Sequence, residues 1–305
     1  MSVTELSPLN SNLDLYPSRK GQPAKIIPRQ DPCVYSDDAV RPPISREDIQ
    51  FYQQNGFLII KNVFPPEEIT DFKNELNHLC SLSTRTADNR FILEKDQQDV
   101  RSIFEVHILS KRFEELSEDP RLIELARYLL NDDIYIHQSR VNYKPGFNGN
   151  GFNWHSDFET WHTEDGMPRM RALSMSIPLT ENTSTNGPLM FVPRSHHHYL
   201  SCTEQTPAHH YIDSLKEQQI GIPNPANISG LVSQYGMVQA LSQPGSLILF
   251  DSNTLHGSNS NISPHPRSNV FFVYNALSNK VVAPFDEAPP RPEFLAARRS
   301  IRPIP

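Results

Sequence analysis

The 305-residue sequence lacks the features that mark nucleic-acid-binding and membrane proteins. Its basic residues do not cluster, no basic run is longer than the pair Arg298-Arg299, and the net charge is −7. A nucleic-acid surface needs grouped Lys and Arg. No apolar run approaches the roughly 20 residues that span a bilayer, and the first residues, Met1 to Glu5, do not have the pattern of a secretory signal. We therefore expect neither nucleic acid nor a membrane among the partners.

Cysteine is also scarce. The three cysteines, Cys33, Cys80 and Cys202, are odd in number and widely spaced. They therefore match neither a disulfide framework nor the ligand spacing of a zinc site. Free cysteines are ordinary in a reducing compartment, and we expect a cytoplasmic protein.

Proline, in contrast, is plentiful, and seven of the 27 prolines fall within residues 1–44. That density predicts an extended N-terminal arm over residues 1–44. Helix signals begin directly after it. Ser45 can cap a helix that ends near Asn55, a second helix is expected from Pro66, and a third from Asp119.

Short strands dominate the sequence beyond about residue 133. Runs with strand character, separated by Gly, Pro, Asn and Ser turns, fall at residues 134–143, 172–179, 189–192, 246–250 and 269–274, after an earlier run at 57–60. Helices followed by many short strands predict an α+β fold, with a double-stranded β-helix (jelly-roll) core flanked by helices. We expect a single domain over residues 45–305, in which residues 200–240 form a long loop insertion.

Two histidines and an aspartate suggest a metal site. Side chains two apart on a strand point to the same face, so a strand over residues 152–158 would present His155 and Asp157 side by side. The predicted strand at 246–250 leads to His256, which can supply a third ligand. Two His and one carboxylate suit the Fe(II) oxygenases, in which open positions remain for a co-substrate and O₂.

Arg267, eleven residues after His256, favours an oxygenase that uses 2-oxoglutarate. A guanidinium is a planar fork that pairs with a carboxylate, and such an enzyme must hold the distal carboxylate of 2-oxoglutarate. A zinc hydrolase also uses two His and one carboxylate, but it leaves Arg267 and Asn142 without a role. A non-catalytic jelly-roll binding protein is a third class, and it gives no reason for a complete metal triad.

A polar row on the strand at 134–143 supports a site inside the barrel. Alternation places Gln138, Arg140 and Asn142 on one face, which they would share with Ile134 and Ile136. Barrel interiors are normally apolar, so such a row suits a polar ligand. On the strand at 172–179, the small residues Ala172, Ser174 and Ser176 alternate with apolar ones and would leave room for a substrate.

Several longer segments are similar to signatures of one enzyme family. The run from Gly56 to Val63 and the Pro-Pro-Glu-Glu after it are followed, in order, by the His-x-Asp pair, the distant His and the Arg. Together they resemble the phytanoyl-CoA dioxygenase family across residues 45–275. The segment 152–182 and the motif at 14–19 are similar to members that act on ectoine, a cyclic, zwitterionic compatible solute. One departure is Arg194, where the family usually has Gly.

The resemblance implies a cupin-like jelly roll that binds Fe(II), 2-oxoglutarate and O₂. The implied reaction hydroxylates ectoine to 5-hydroxyectoine and releases succinate and CO₂; the alternative substrate is another small cyclic amino acid such as proline. A homodimer and a role in osmotic stress are also implied. The metal ligands carried over are His155, Asp157 and His256. The residues expected to hold 2-oxoglutarate are Arg267, Ser258, Asn142 and Phe152. Those expected to line the substrate pocket are Gln138, Trp161, Ala172, Ser174, Phe250 and Phe271.

Overall fold

The computed structural model describes residues 13–83, 87–94, 99–207 and 209–305. The first 12 residues of the predicted arm and residue 208 of the predicted loop lie outside these ranges. In the described chain the helices are α1 (Arg46–Asn55), α2 (Pro66–Ser83), α3 (Val106–Leu109), α4 (Lys111–Ser117), α5 (Pro120–Leu130), α6 (Asp157–Asp165), α7 (Tyr211–Ser214) and α8 (Pro225–Tyr235). No helix among these residues is long and apolar enough to cross a membrane.

The strands form antiparallel sheets. They are β1 (Ile26–Pro28), β2 (Phe57–Ile60), β3 (Phe91–Leu93), β4 (Val100–Phe104), β5 (Ile134–Lys144), β6 (Phe152–His155), β7 (Ala172–Pro178), β8 (Leu189–Phe191), β9 (His198–Leu200), β10 (Val238–Gln239), β11 (Leu247–Asp251), β12 (His256–Ser258) and β13 (Arg267–Ala276). The larger sheet has the order β2-β11-β7-β13-β5-β4-β3, the smaller one β10-β8-β12-β6, and β1 pairs with β9.

Local sequence signals account for helices α1, α2 and α5 and for the longest strands. The Ser45 side chain accepts a hydrogen bond from the backbone N–H of Asp48 (3.0 Å) and caps α1. The Asp119 carboxylate caps α5 by accepting one from the backbone N–H of Arg121 (2.9 Å). The strands predicted at 134–143, 172–179, 189–192, 246–250 and 269–274 are all present, with ends shifted by at most two residues. The α+β prediction is therefore confirmed. The predicted 200–240 loop contains two helices, α7 and α8.

The larger sheet has one face on the helices and one on the smaller sheet. Leu173 and Met175 of β7 pack into the helix-side core with residues of α2 and α5. On the opposite face, Phe57 stacks on Phe191 of β8 with ring centroids 4.8 Å apart, and Phe250 belongs to the same cluster. Burial of these aromatic rings holds the two sheets face to face and leaves a cavity at one end.

The alternation predicted along β5 is wrong at one point. Ile134 and Ile136 pack into the helix-side core, whereas Gln138 lines the cavity between the sheets. The register with β13 explains this, because Val273 pairs with Gln138 and the next residue pairs with Ile136, so His137 is an extra residue. A β-bulge of this kind exchanges the two faces of a strand, and periodicity alone does not detect it.

The described part of the N-terminal segment packs into the domain. Tyr16 is fully buried and makes edge contacts with Phe158 at a centroid distance of 5.4 Å. Further along, Ile27 of β1 pairs with Tyr199 of β9. These contacts place the segment against α6, the helix that begins at Asp157.

Arg194, the departure from the family pattern, lies in a turn after β8. Its backbone has φ 64° and ψ −2°. This left-handed conformation costs a non-glycine residue about 1–2 kcal/mol, which explains why glycine suits the position. The turn keeps its shape here with an arginine, and the backbone N–H of Arg194 donates to the carbonyl oxygen of Asn55 (3.1 Å).

Candidate metal centre and the cavity around it

His155, Asp157 and His256 meet in space. Each offers a ligand atom, and these atoms all lie within 4.8 Å of one another. His155 Nε2 is 3.7 Å from Asp157 Oδ1, and His256 Nε2 is 3.9 Å from Asp157 Oδ2. The smaller sheet creates this arrangement, because β6 and β12 pair with His155 directly opposite His256.

Asp157 reaches the site by a different route from the one expected. Strand β6 ends at His155, and Asp157 is the first residue of helix α6. The prediction of a continuous strand over 152–158, with both side chains on one strand face, was therefore wrong. The turn at Ser156 brings the carboxylate beside the imidazole instead, at a helix N-terminus where a negative charge is favoured.

The protonation of the three residues suits a divalent metal. The Nδ1 atoms of His155 and His256 lie 2.7 and 2.9 Å from the carbonyl oxygens of Asn153 and Thr254, which places the proton on Nδ1 and leaves each Nε2 free as a ligand. Burial, with the neighbouring His155, lowers the pKa of His256 to about 4. Burial alone would raise the pKa of Asp157, but His256 and His155 outweigh it and hold that pKa well below its usual range.

Two buried basic side chains lie at another part of the cavity: Arg267 lines its wall, and Lys144 contacts the wall residue Ser258. Arg267 is 1% exposed; its Nη1 donates to the carbonyl of Gly187 (2.5 Å), while its Nε has no hydrogen-bond partner among the described residues. Lys144, also 1% exposed, donates to Ser258 Oγ (2.8 Å). Burial lowers the pKa of Arg267 to about 10, and burial together with Arg267 and Arg101 lowers the pKa of Lys144 to about 6.

Most of the residues singled out in the sequence lie around one cavity. Its walls include His155, Asp157, His256, Arg267, Ser258, Asn142, Phe152, Gln138, Trp161 and Phe271. Ala172, Ser174 and Phe250 lie behind this wall. Ser174 Oγ is 3.3 Å from Asp157 Oδ2, the Phe250 ring is 4.9 Å from that of His256, and Ala172 packs with Trp161. These three contact the candidate ligands or the wall rather than the cavity itself.

Several cavity residues were not anticipated as site residues. Lys144 does not line the cavity but contacts the wall residue Ser258; it continues the polar row of β5 beyond Asn142, so extending the predicted strand by one residue would have found it. Arg291 and Thr160 line the cavity, as do Leu215 and Gln218 from the segment after α7. Arg291 lies in a proline-rich stretch with no periodicity, and no local signal places it near the metal ligands.

Comparison with known proteins gives consistent matches over nearly the whole chain. Residues 52–269 match the model of the phytanoyl-CoA dioxygenase family. The chain is 47% identical over 285 residues to the ectoine dioxygenase of Sphingopyxis alaskensis, covering 93% of each protein. Crystal structures of EctD from that organism, one with 2-oxoglutarate and 5-hydroxyectoine and one with bound Fe, superpose with TM-scores of 0.86 and 0.85 at 42% identity, covering 96% of this chain and 97% of theirs.

Proposed function

Since the chain belongs to the phytanoyl-CoA dioxygenase family, we propose that it hydroxylates ectoine to 5-hydroxyectoine in a reaction that depends on Fe(II), 2-oxoglutarate and O₂. Succinate and CO₂ are the other products. The observation that carries the proposal is that one cavity is lined both by a triad of two His and one Asp and by a buried arginine, Arg267, whose Nε has no hydrogen-bond partner among the described residues.

His155, Asp157 and His256 would hold the metal. The donor set fits Fe(II), since two neutral imidazoles and one carboxylate on one side leave positions open for other ligands. When bound, the metal activates O₂ together with 2-oxoglutarate and supplies the oxidant for the C–H bond. The carbonyl contacts of the two Nδ1 atoms fix the orientation of both rings and select the tautomer that presents Nε2 to the metal.

Arg267 and Lys144 would bind the distal carboxylate of 2-oxoglutarate. Arg267 Nε lacks a partner within the described chain, and a buried donor of this kind costs stability unless a ligand satisfies it. Asn142 and Ser258 would lie beside the same carboxylate of 2-oxoglutarate. The amide oxygen of Asn142 accepts a hydrogen bond from Ser102 Oγ (3.0 Å), and the hydroxyl of Ser258 accepts one from Lys144 Nζ. A carboxylate placed here would compensate the desolvated guanidinium of Arg267 and favour the charged form of Lys144.

The remaining wall combines aromatic rings with guanidinium groups, which suits a small cyclic zwitterion. Trp161 and Phe271 offer flat surfaces for a cationic ring. Arg140, whose guanidinium carbon is 4.8 Å from the Phe271 ring centroid, can pair with the carboxylate of the substrate, whereas Arg291 is already paired with Asp165 through Nε (2.8 Å) and Nη2 (2.5 Å). Gln138 is fixed by donating to the carbonyl of Leu295 (2.6 Å) and accepting from Arg140, so its amide is pre-oriented toward a substrate.

The test is a coupled assay. The protein is loaded with Fe(II) and 2-oxoglutarate without oxygen and exposed to O₂ with ectoine, and succinate and hydroxyectoine are measured together. We expect the two in equal amounts, and proline in a parallel reaction should yield no hydroxylated product. Succinate without hydroxyectoine would reject the substrate but keep the dioxygenase chemistry, whereas formation of neither product would reject both.

We also propose that residues 45–305 form one catalytic domain, that residues 1–44 are an N-terminal extension of it, and that the protein is a cytoplasmic homodimer. Three free cysteines, of which Cys202 is buried, are consistent with a reducing compartment. Light scattering coupled to size-exclusion chromatography tests the dimer, and a mass of a single 34.8 kDa chain would exclude it.

A further inference from the structure

Two buried arginines of the N-terminal segment reach the elements that hold the candidate metal ligands. We name residues 14–32 the N-terminal strap. Arg19 contacts helix α6, which begins at Asp157, and Arg29 contacts the end of β11, which leads to His256. Neither arginine lines the cavity.

Arg19 forms a paired contact with α6. Its Nε and Nη2 donate to the two carboxylate oxygens of Glu159 at 2.9 and 2.6 Å, and its Nη1 donates to Glu164 Oε1 at 2.5 Å. The side chains of Arg19 and Glu159 are both fully buried. Glu159 lies two residues after Asp157, so the first turns of the helix are fixed to the strap.

Arg29 is bonded through all of its nitrogen atoms. Its Nη1 donates to Asp251 Oδ1 at 2.7 Å, and both side chains are only 3% exposed. Its Nε and Nη2 donate to backbone carbonyls of Asp31, Pro32 and Met170 at 2.8–3.0 Å. The guanidinium therefore holds Asp251 to the strap by one charged contact and several neutral ones.

From Asp251, hydrogen bonds continue to the segments of all three ligands. The Asp251 carboxylate accepts from the backbone N–H of Asn253 (2.8 Å), and Asn253 Oδ1 accepts from the hydroxyl of Ser156 (2.9 Å), which lies between His155 and Asp157. In the same turn, the carbonyl of Thr254 contacts His256 Nδ1 (2.9 Å). Movement of Asp251 would thus change the relative placement of the ligands.

We propose that Arg29 is a positioning residue for the metal centre, acting through Asp251 and the turn at residues 251–254, with Arg19 as a second anchor on α6. The proposal rests on the proposed metal site. The N-terminal strap would thus contribute to metal affinity and to the position of the metal relative to the substrate C–H bond, in addition to its contribution to folding. Outer contacts that orient metal ligands change affinity by about 10- to 100-fold when they are removed.

The test compares Arg29→Met and Arg29→Lys with Arg171→Met. Arg171 is a matched control, because its side chain also bonds several groups, the carbonyls of Leu130 and Asn131 and the hydroxyl of Ser278, yet none of them contacts a candidate ligand. Metal binding is measured with Co(II), whose visible absorption reports ligand geometry. Coupling is measured as succinate formed per hydroxylated product.

We expect Arg29→Met to weaken Co(II) binding at least about tenfold, to alter its absorption bands and to raise the succinate-to-product ratio. Arg29→Lys, which keeps the charge near Asp251, should show a smaller change. Arg171→Met should lower thermal stability alone. The positions of the Co(II) absorption bands and the succinate-to-product ratio do not depend on the fraction of folded protein, so a purely structural role for Arg29 leaves these two readouts unchanged.

Wild-type affinity, spectrum and coupling in a folded Arg29→Met protein would overturn the inference. If that variant does not fold, Asp251→Asn removes the charge at the other end of the same contact and decides by the same criteria. The outcome is separable from the proposed function, since failure of the wild-type protein to bind Co(II) would reject the metal site itself. If the wild-type protein binds Co(II) and the variants at Arg29 bind it in the same way, only the role of Arg29 is rejected.

Discussion

Replacement of Lys144 by Met should affect 2-oxoglutarate binding in a way that depends on pH. Burial, with Arg267 and Arg101, lowers the pKa of Lys144 to about 6, so the amine is mostly neutral above that pH. A carboxylate bound beside it favours the charged form and raises the pKa. Binding of 2-oxoglutarate therefore takes up a proton, and the wild-type affinity should be highest near pH 6 and fall as the pH rises.

Two opposing free energies set the size of the effect on 2-oxoglutarate affinity: the hydrogen bond that Lys144→Met loses and the cost of protonating the wild-type amine. At about pH 6, loss of one hydrogen bond to a charged group costs about 1.5–3 kcal/mol, which is about 10- to 100-fold in Kd. At about pH 7.5, the wild-type amine must first be protonated, at a cost of about 2 kcal/mol for a pKa of about 6. The difference between wild type and Lys144→Met should then shrink to about tenfold or less.

Calorimetric titration of 2-oxoglutarate into the anaerobic Fe(II)-loaded proteins measures this, with buffers of different ionisation heat to count protons. Lys111→Met is the control, because Lys111 lies on α4 with 75% of its side chain exposed and pairs with Glu114 on the same helix. It should bind like wild type at each pH. An affinity ratio between wild type and Lys144→Met that does not change with pH, or binding without proton uptake, would refute the reasoning.

Further predictions concern the metal, the turn and stability. Asp157→Ala should weaken Co(II) binding by more than about 100-fold and abolish hydroxylation; turnover at the wild-type rate would contradict the ligand assignment. Removal of metal with a chelator should stop the reaction, and Fe(II) should restore it whereas Zn²⁺, which has no redox chemistry, should not. Arg194→Gly should raise the free energy of unfolding by about 1 kcal/mol, because it relieves the left-handed backbone at φ 64°; a loss of stability in denaturant titration would contradict this. Lys144→Met should stabilise the ligand-free protein by up to about 4 kcal/mol at about pH 7.5. In the wild-type protein the pKa of Lys144 is lower in the folded than in the unfolded state, so folding must remove a proton from the amine. The free-energy cost of removing that proton grows as the pH falls toward 6. Equal melting temperatures of the two proteins would argue against it.

The sequence alone indicated three of the helices, the longest strands and the residues of the candidate metal centre. Caps such as Ser45 and Asp119 act within a few residues, so their helices could be predicted closely. His155 and His256 stand at the ends of recognisable strands, and Arg267 begins another. In two places a local irregularity makes the structure differ from the prediction: the bulge at His137 exchanged the faces of β5, and the turn at Ser156 moved Asp157 onto a helix.

Only the tertiary structure determined which side chains face the cavity and which charges are buried together. Ala172 and Phe250 lie on the predicted strands but behind the cavity wall. Which side chains reach the cavity depends on how the two sheets stack. The contacts of Arg29 with Asp251 and of Arg19 with Glu159 join residues 222 and 140 positions apart. The low pKa of Lys144 follows from burial beside other cations. Local periodicity encodes none of these, since desolvation and long-range pairing arise only when distant segments pack against each other.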